Sequence, residues 1–155
     1  MDAPESMKLE LSQWNNGNGI DLQSWIDHTG NFSLAVGYTT LFWPEFVEFE
    51  GYILRAGFTE STLRAWENQS GVTRKSVEQV MNHFHITDIH NNSHDDASKD
   101  KIIVLGKALK EIYEAKLCWQ FPDRPCVVDF YIPTDDEDWL LDYQISFWQA
   151  THEHA

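Results

Sequence analysis

Basic residues are scarce in this sequence, and residues 125–155 contain none at all. The chain has 11 Lys and Arg residues against 25 Asp and Glu residues, a formal net charge of −14. The excess lies at the two ends, because residues 55–124 hold as many bases as acids. Such a field repels phosphate backbones and anionic lipids, and it attracts basic proteins and cations. The charge therefore disfavours nucleic acids as partners and favours a basic protein.

Long apolar runs are also missing. No stretch approaches the ~20 apolar residues that cross a bilayer, and the N-terminus lacks the basic and apolar regions of a signal peptide. Two cysteines, Cys118 and Cys126, are too few for a disulfide framework, and the sequence leaves open whether they pair. We therefore expect a cytoplasmic protein with reduced thiols and no membrane partner.

Complete catalytic signatures are absent as well. The sequence has no Gly-x-Ser-x-Gly motif and no glycine-rich phosphate loop, and neither cysteine has a local pattern typical of an activated nucleophile. These absences favour a protein that is not an enzyme and needs no cofactor, but they do not decide the question.

The composition that is present predicts a packed core. Hydrophobic residues make up 42% of the chain and aromatic residues 14%, more than a disordered acidic chain carries. With 155 residues, the chain suits a single domain, in which residues 1–20 are expected to be weakly ordered. The order of the predicted elements, a strand, then helices, then a strand pair, indicates the α+β class.

Local patterns predict most of these elements. Asp21 and Gly30 are expected to bound a short helix, residues 32–42 read as a strand, and Pro44 begins a helix that continues to Gly57. Thr59 and Thr73 each precede an apolar stripe of helical spacing, and both are typical N-caps.

The C-terminal half gives the clearest pattern. A longer helix is expected over residues 98–119, and two strands over residues 127–132 and 140–148. In the second strand Leu141, Tyr143, Ile145 and Phe147 alternate with polar residues. We expect residues 125–148 to form an antiparallel hairpin on the 98–119 helix, with the 32–42 strand as a possible member of the same sheet.

The two capped helices resemble a helix-turn-helix, with Gly71 in the turn. This resemblance implies a DNA-binding regulator that presents Arg74, Lys75 and Ser76 at the start of the recognition helix. Glu67 stands where the motif packs a small residue, and the acidic charge opposes phosphate binding. A plain helical hairpin is therefore the preferred interpretation.

A histidine-rich segment offers a second alternative, a metal-dependent enzyme. Imidazole and carboxylate groups are suitable ligands for Zn²⁺ or Fe²⁺, but the spacing here matches no metallohydrolase pattern. A solvated loop is therefore the preferred interpretation. The candidate ligands are His83, His85, Asp88, His90 and His94.

The acidic turn at residues 135–138 carries the leading hypothesis. Clustered carboxylates can steer a basic partner, and a nearby aromatic residue can supply short-range affinity. We expect a non-catalytic protein-binding protein, with a composition similar to that of inhibitors such as the immunity proteins of bacterial toxin systems. The expected contact residues are Asp135, Asp136, Glu137, Asp138, Trp139 and Trp148.

Overall fold

The computed structural model describes residues 2–91, 94–134 and 139–153. This part of the chain contains six α-helices and five short strands. They form one α+β domain, as the sequence predicts. The helices are α1 (Glu5–Gly17), α2 (Leu22–Thr29), α3 (Phe32–Phe42), α4 (Glu60–Glu67), α5 (Arg74–Met81) and α6 (Lys99–Gln120). The strands are β1 (Phe46–Phe49), β2 (Tyr52–Arg55), β3 (Phe84–His85), β4 (Cys126–Tyr131) and β5 (Gln144–Gln149).

The predicted C-terminal strand pair is confirmed. Strands β4 and β5 pair antiparallel, and β3 joins the other edge of β5 to complete a three-stranded sheet. Tyr143, Ile145 and Phe147 are fully buried, but Leu141 lies in a 3-10 turn and is exposed. Helix α6 covers this sheet so closely that a Cβ atom on Gly106 would lie 2.1 Å from the Phe130 ring. The alternation therefore identified the buried face, whereas the strand begins later than predicted.

The two capped helices are also confirmed. The Thr59 hydroxyl accepts a hydrogen bond from the Thr62 amide, and the Thr73 hydroxyl accepts one from the Ser76 amide. The Ser76 hydroxyl in turn accepts from the Thr73 amide, which completes a capping box. These bonds satisfy amides that a helix start otherwise leaves without a partner.

The strand predicted over residues 32–42 is wrong, because this segment forms helix α3. The Asn31 side chain accepts a hydrogen bond from the Leu34 amide and so caps the helix. β-Branched and aromatic residues favour strands only where they pack on a pleated surface, and here no neighbouring strand provides one. The third strand of the C-terminal sheet is β3 instead.

The helix predicted over residues 44–57 is also wrong. Strands β1 and β2 form an antiparallel hairpin there, with Phe49 opposite Tyr52. The two turn residues, Glu50 and Gly51, both have positive φ angles, 50° and 85°, as the tightest hairpin turns require. Glu at the first of these positions gives no turn signal in the sequence.

Residues 1–20 are expected to be weakly ordered, but most of them form helix α1. The Asp100 carboxylate at the start of α6 accepts hydrogen bonds from the Ser6 amide at 2.7 Å and the Ser6 hydroxyl at 3.0 Å. The turn-forming residues do interrupt the helix, because Asn15 and Asn16 have positive φ angles. Composition indicated the interruption but could not indicate the contact with α6.

Two buried polar side chains, Glu78 in α5 and Asn82 directly after it, join the two sheets. The Glu78 carboxylate accepts hydrogen bonds from the amides of Ile53 in β2 (2.9 Å) and Gln149 in β5 (2.8 Å). The Asn82 amide group donates to the carbonyl oxygens of Ile53 (2.9 Å) and Phe147 (3.1 Å). Glu78 and Asn82 thus bond to backbone groups of β2 and β5 that would otherwise pair with a neighbouring strand. Among the helices described here, none is long and apolar enough to cross a membrane.

Candidate functional site

The acidic turn predicted to bind a partner lies outside the described residues, since it consists of Asp135, Asp136, Glu137 and Asp138. Of the two aromatic residues predicted beside it, Trp139 is exposed and Trp148 is buried. Only Trp139 is therefore available at the surface as a contact residue.

Trp148 is covered by its own chain. The Lys75 Nζ atom lies 4.6 Å from the centroid of the indole ring, and the Trp148 Nε1–H group points to Glu153 at 3.4 Å. The alternation in β5 places Trp148 on the face opposite Phe147, but α5 packs on that face. The sequence pattern identified one buried face of the strand, whereas the fold buries both.

The predicted nucleic-acid residues contact other parts of the same chain. One guanidinium nitrogen of Arg74 donates to the Glu50 carbonyl oxygen at 2.9 Å, and its Cζ atom lies 4.0 Å from the Tyr52 ring centroid. Lys75 lies over Trp148, and Ser76 is used in the capping box of α5. The start of α5 is thus occupied by internal contacts.

The predicted metal ligands do not form a cluster in the described part of the chain. The Nδ1 atoms of His83 and His85 lie 2.6 Å from the carbonyl oxygens of Val80 and Leu141 respectively, and the His90 Nε2 atom lies 2.6 Å from the Tyr38 hydroxyl. Asp88 is exposed, and His94 belongs to a separate 3-10 turn. Within residues 2–91, 94–134 and 139–153, no three His, Cys, Asp or Glu residues are placed to hold a metal ion.

Intramolecular contacts hold nearly every basic residue. Arg64 shows this most clearly, because it forms ion pairs with Glu50, Glu60 and Glu67 that raise its pKa and lower the pKa of Glu67. Other bases pair with carboxylates or lie over aromatic rings, and because each ion pair cancels one acid with one base, the excess of acids over bases remains as net negative charge. The bases with such a contact are Lys8, Arg55, Arg64, Arg74, Lys75, Lys101, Lys110, Lys116 and Arg124.

Exposed apolar side chains lie on the first half of α3, at the residue that follows α3, and near the end of α6. Phe32, Val36, Trp43 and Trp119 have exposed fractions of 91%, 69%, 50% and 70%. Residues 32 and 36 lie one turn apart on α3, Trp43 is the residue directly after the helix, and the ring centroids of Trp43 and Trp119 lie 6.1 Å apart. We call these four residues the α3 stripe. It is the candidate functional site, because exposed aromatic clusters of this kind mark interaction surfaces.

The inner contacts of α3 and α6 hold the α3 stripe in place. Helix α3 packs against the main core through Leu41 and Phe42. At the other end, the Lys116 Nζ atom lies 4.7 Å from the Trp43 ring centroid and 4.8 Å from that of Trp119. Lys116 is only 8% exposed, so its cation–π contacts lie beneath the two indoles. The two rings are thereby fixed while still presenting surface to solvent.

A small pocket lies between residues 86–90 and the start of α6. Its volume is about 110 Å³, and its lining is mainly apolar, with Ile86, Ile89 and Leu105 among the contributors. Exposed carboxylates of Asp88, Asp95 and Asp96 stand near it, and the Lys101 ammonium is paired with Asp96 at 2.5 Å. The Tyr38–His90 contact links this acidic pocket region to α3.

Sequence reasoning missed the α3 stripe, although a signal for it exists. Residues 28–44 contain no Asp, Glu, Lys or Arg, which is unusual in so highly charged a chain, and Phe32 and Val36 stand four residues apart. The segment was interpreted as a strand, so this spacing could not be read as one helix face. Comparison with known proteins adds no candidate, because no protein-family model, no curated protein and no solved structure matches the chain.

Proposed function

We propose that this chain is a cytoplasmic, non-catalytic protein that binds a basic protein partner, in the manner of an inhibitor or an immunity protein. The observation that supports the proposal is the net charge of −14, in a structure whose few bases contact the chain's own residues. Arg64, Lys75 and Lys101 are paired with carboxylates, and Lys116 is covered by two indoles. Because acids outnumber bases by 14, an approaching molecule meets a strongly negative charge.

Charge of this kind acts mainly on the rate of association. Exposed carboxylates attract a basic partner over about one Debye length, which is about 10 Å at 0.1 M salt and about 3 Å at 1 M. Complementary fields raise association rates well above those of neutral pairs, whereas affinity at close range comes from aromatic and apolar contacts. Binding of the partner should therefore weaken steeply as salt is added.

The acidic turn provides the test. We would purify a basic partner captured from the native host by cross-linking, and then measure association and dissociation rates at 0.05 M and 0.5 M NaCl. A variant with D135N, D136N, E137Q and D138N should associate about tenfold more slowly at low salt, with a smaller change in dissociation. A matched control removes four exposed charges elsewhere, with D2N, E111Q, D123N and D129N.

Two outcomes would contradict the proposal. A flat salt dependence would mean that the charge serves only to keep copies of the protein apart. An equal slowing by the test variant and the control would assign the effect to net charge and would remove the acidic turn from the binding surface.

A further inference from the structure

We propose that the α3 stripe is the docking surface for a basic amphipathic helix of the partner. This inference rests on the proposed function and adds to it where the partner docks and which face it presents. Amphipathic helices are recognised through apolar anchors at i, i+3, i+4 and i+7, set into a complementary apolar surface. The α3 stripe offers Phe32 and Val36 at positions i and i+4 of α3, with Trp43 directly after the helix, about 16 Å from Phe32 along its axis.

The exposure of the stripe is the first observation. Phe32 is 91% exposed at the start of α3, and Val36 lies one turn further along the same face. Isolated apolar residues are common on protein surfaces, whereas four large apolar residues exposed on one helix, its C-cap and the adjoining helix are typical of an interaction site. Tryptophan is also the residue most enriched at binding hot spots.

The charges around the stripe determine the class of occupant. Asp27 and Glu45 are exposed and stand directly outside the charge-free segment 28–44, so an exposed carboxylate precedes and another follows α3 in the sequence. The nearest base beside Trp43 and Trp119 is Lys116, which lies beneath their rings. Lys or Arg residues beside the apolar face of a partner helix would meet these carboxylates. An acidic helix, an anionic lipid surface or a second copy of this chain would be repelled.

The rigidity of the two indoles favours binding further. Lys116 contacts both rings, so Trp43 and Trp119 are held in position before a partner arrives. An anchor that is already ordered loses less side-chain entropy on binding than a free side chain does. The stripe is thus both apolar and organised in advance.

A peptide titration tests the docking surface. The probe is a fluorescein-labelled 18-residue Leu/Lys peptide, designed as an amphipathic helix and followed by fluorescence anisotropy at 0.1 M NaCl. We expect it to bind at least tenfold more tightly than a scrambled peptide of the same composition. A Leu/Glu peptide with the same spacing should not bind measurably.

Substitutions then locate the contact. F32S and V36S should each weaken binding about tenfold or more, the loss expected when one buried apolar side chain is truncated. L9S is the matched control, because Leu9 is an exposed apolar residue on α1 outside the stripe. The L9S variant should bind the Leu/Lys peptide with the affinity of the wild type. Circular dichroism of each variant checks that α3 is still helical.

The inference is overturned if F32S and V36S bind the Leu/Lys helix as tightly as the wild type does. It is also overturned if sedimentation shows a wild-type dimer that V36S dissociates, or if the wild type and not V36S binds phosphatidylcholine vesicles. With the purified basic partner, stripe variants should speed dissociation, whereas acidic-turn variants slow association. If only the acidic-turn variants have an effect, the proposed function stands and the docking surface is wrong.

Discussion

The Glu78 carboxylate offers the sharpest test of how this fold is held together. It is fully buried and accepts four hydrogen bonds, two at each oxygen. Oε1 accepts from the Ile53 amide at 2.9 Å and from the Gln149 side chain at 2.7 Å. Oε2 accepts from the Gln149 amide at 2.8 Å, and the His152 Nδ1 atom lies 2.8 Å from it. We predict that E78A lowers the free energy of unfolding more than any surface substitution does.

The size of the expected stability loss follows from the hydrogen-bond donors that E78A would leave without an acceptor. A hydrogen bond to a charged group contributes about 1.5–3 kcal/mol, and an unsatisfied buried donor costs about 1–3 kcal/mol. The amides of Ile53 and Gln149 cannot be replaced by substitution, so an apolar residue at position 78 does not remove the cost as it can for a buried side-chain ion pair. We expect E78A to lose about 3–5 kcal/mol of a total that is typically about 5–15 kcal/mol.

Urea unfolding followed by circular dichroism measures this loss. E78Q keeps the shape and one acceptor oxygen but turns an amide NH₂ group toward donors, so we expect a loss of about 1–3 kcal/mol. E111Q is the control, because Glu111 is exposed on α6 and its substitution should change stability by less than about 0.5 kcal/mol. A loss below about 1 kcal/mol in E78A would refute the assigned role of Glu78 in joining the sheets.

Three further predictions concern α6 and its surroundings. G106A should lower stability by about 1–3 kcal/mol in urea unfolding, because its Cβ would meet the rigid Phe130 ring, and G106A/F130L should recover part of that loss. D100A should speed amide exchange in α1 and not in β5. Hydrogen bonds from Ser6 and Ser98 hold the Asp100 pKa well below its usual range, so wild-type α1 should loosen in the same way as pH falls below about 4. A thiol reagent at pH 8 should modify exposed Cys118 before Cys126, since burial raises the Cys126 pKa to about 12.

The elements that the sequence predicted correctly are those with complete local signals. Thr59 and Thr73 cap helices because a hydroxyl in the right place satisfies backbone amides within the same few residues. Strand β5 was recognised because its buried residues alternate, and that alternation requires only one covered face. Neither signal depends on knowing what the rest of the chain does.

The elements that were predicted wrongly depend on context outside the segment. Apolar and β-branched residues fit either a strand or a helix, and in α3 the cap at Asn31 is a single side chain in an otherwise strand-like stretch. The hairpin of β1 and β2 depends on a positive φ angle at Glu50, and its outer edge is completed by Glu78 from α5. Contacts that distant in sequence have no local pattern.

The residues of the candidate site were not predicted from the sequence, which indicated only the acidic charge of the chain as a whole. Composition established that the chain is acidic, but it could not show that Lys75 covers Trp148 or that Lys116 lies beneath Trp43. Those contacts determine which aromatic residues are exposed, and they depend on how helices pack. Phe32 and Val36 were therefore placed in a predicted strand, and Trp119 at the end of a predicted helix, with no sign that they share a surface.

The acidic charge of the chain opposes the self-association that the exposed α3 stripe would otherwise promote. An exposed apolar row would ordinarily promote association between copies of the same chain, because burying it removes apolar surface from water. Two copies of a chain with a net charge of −14 repel each other, and the repulsion is strongest at low salt. A basic partner experiences the same field as attraction, so one charge distribution disfavours self-association and favours that partner. Salt should then act in opposite directions on the two processes, weakening the complex while making self-association easier.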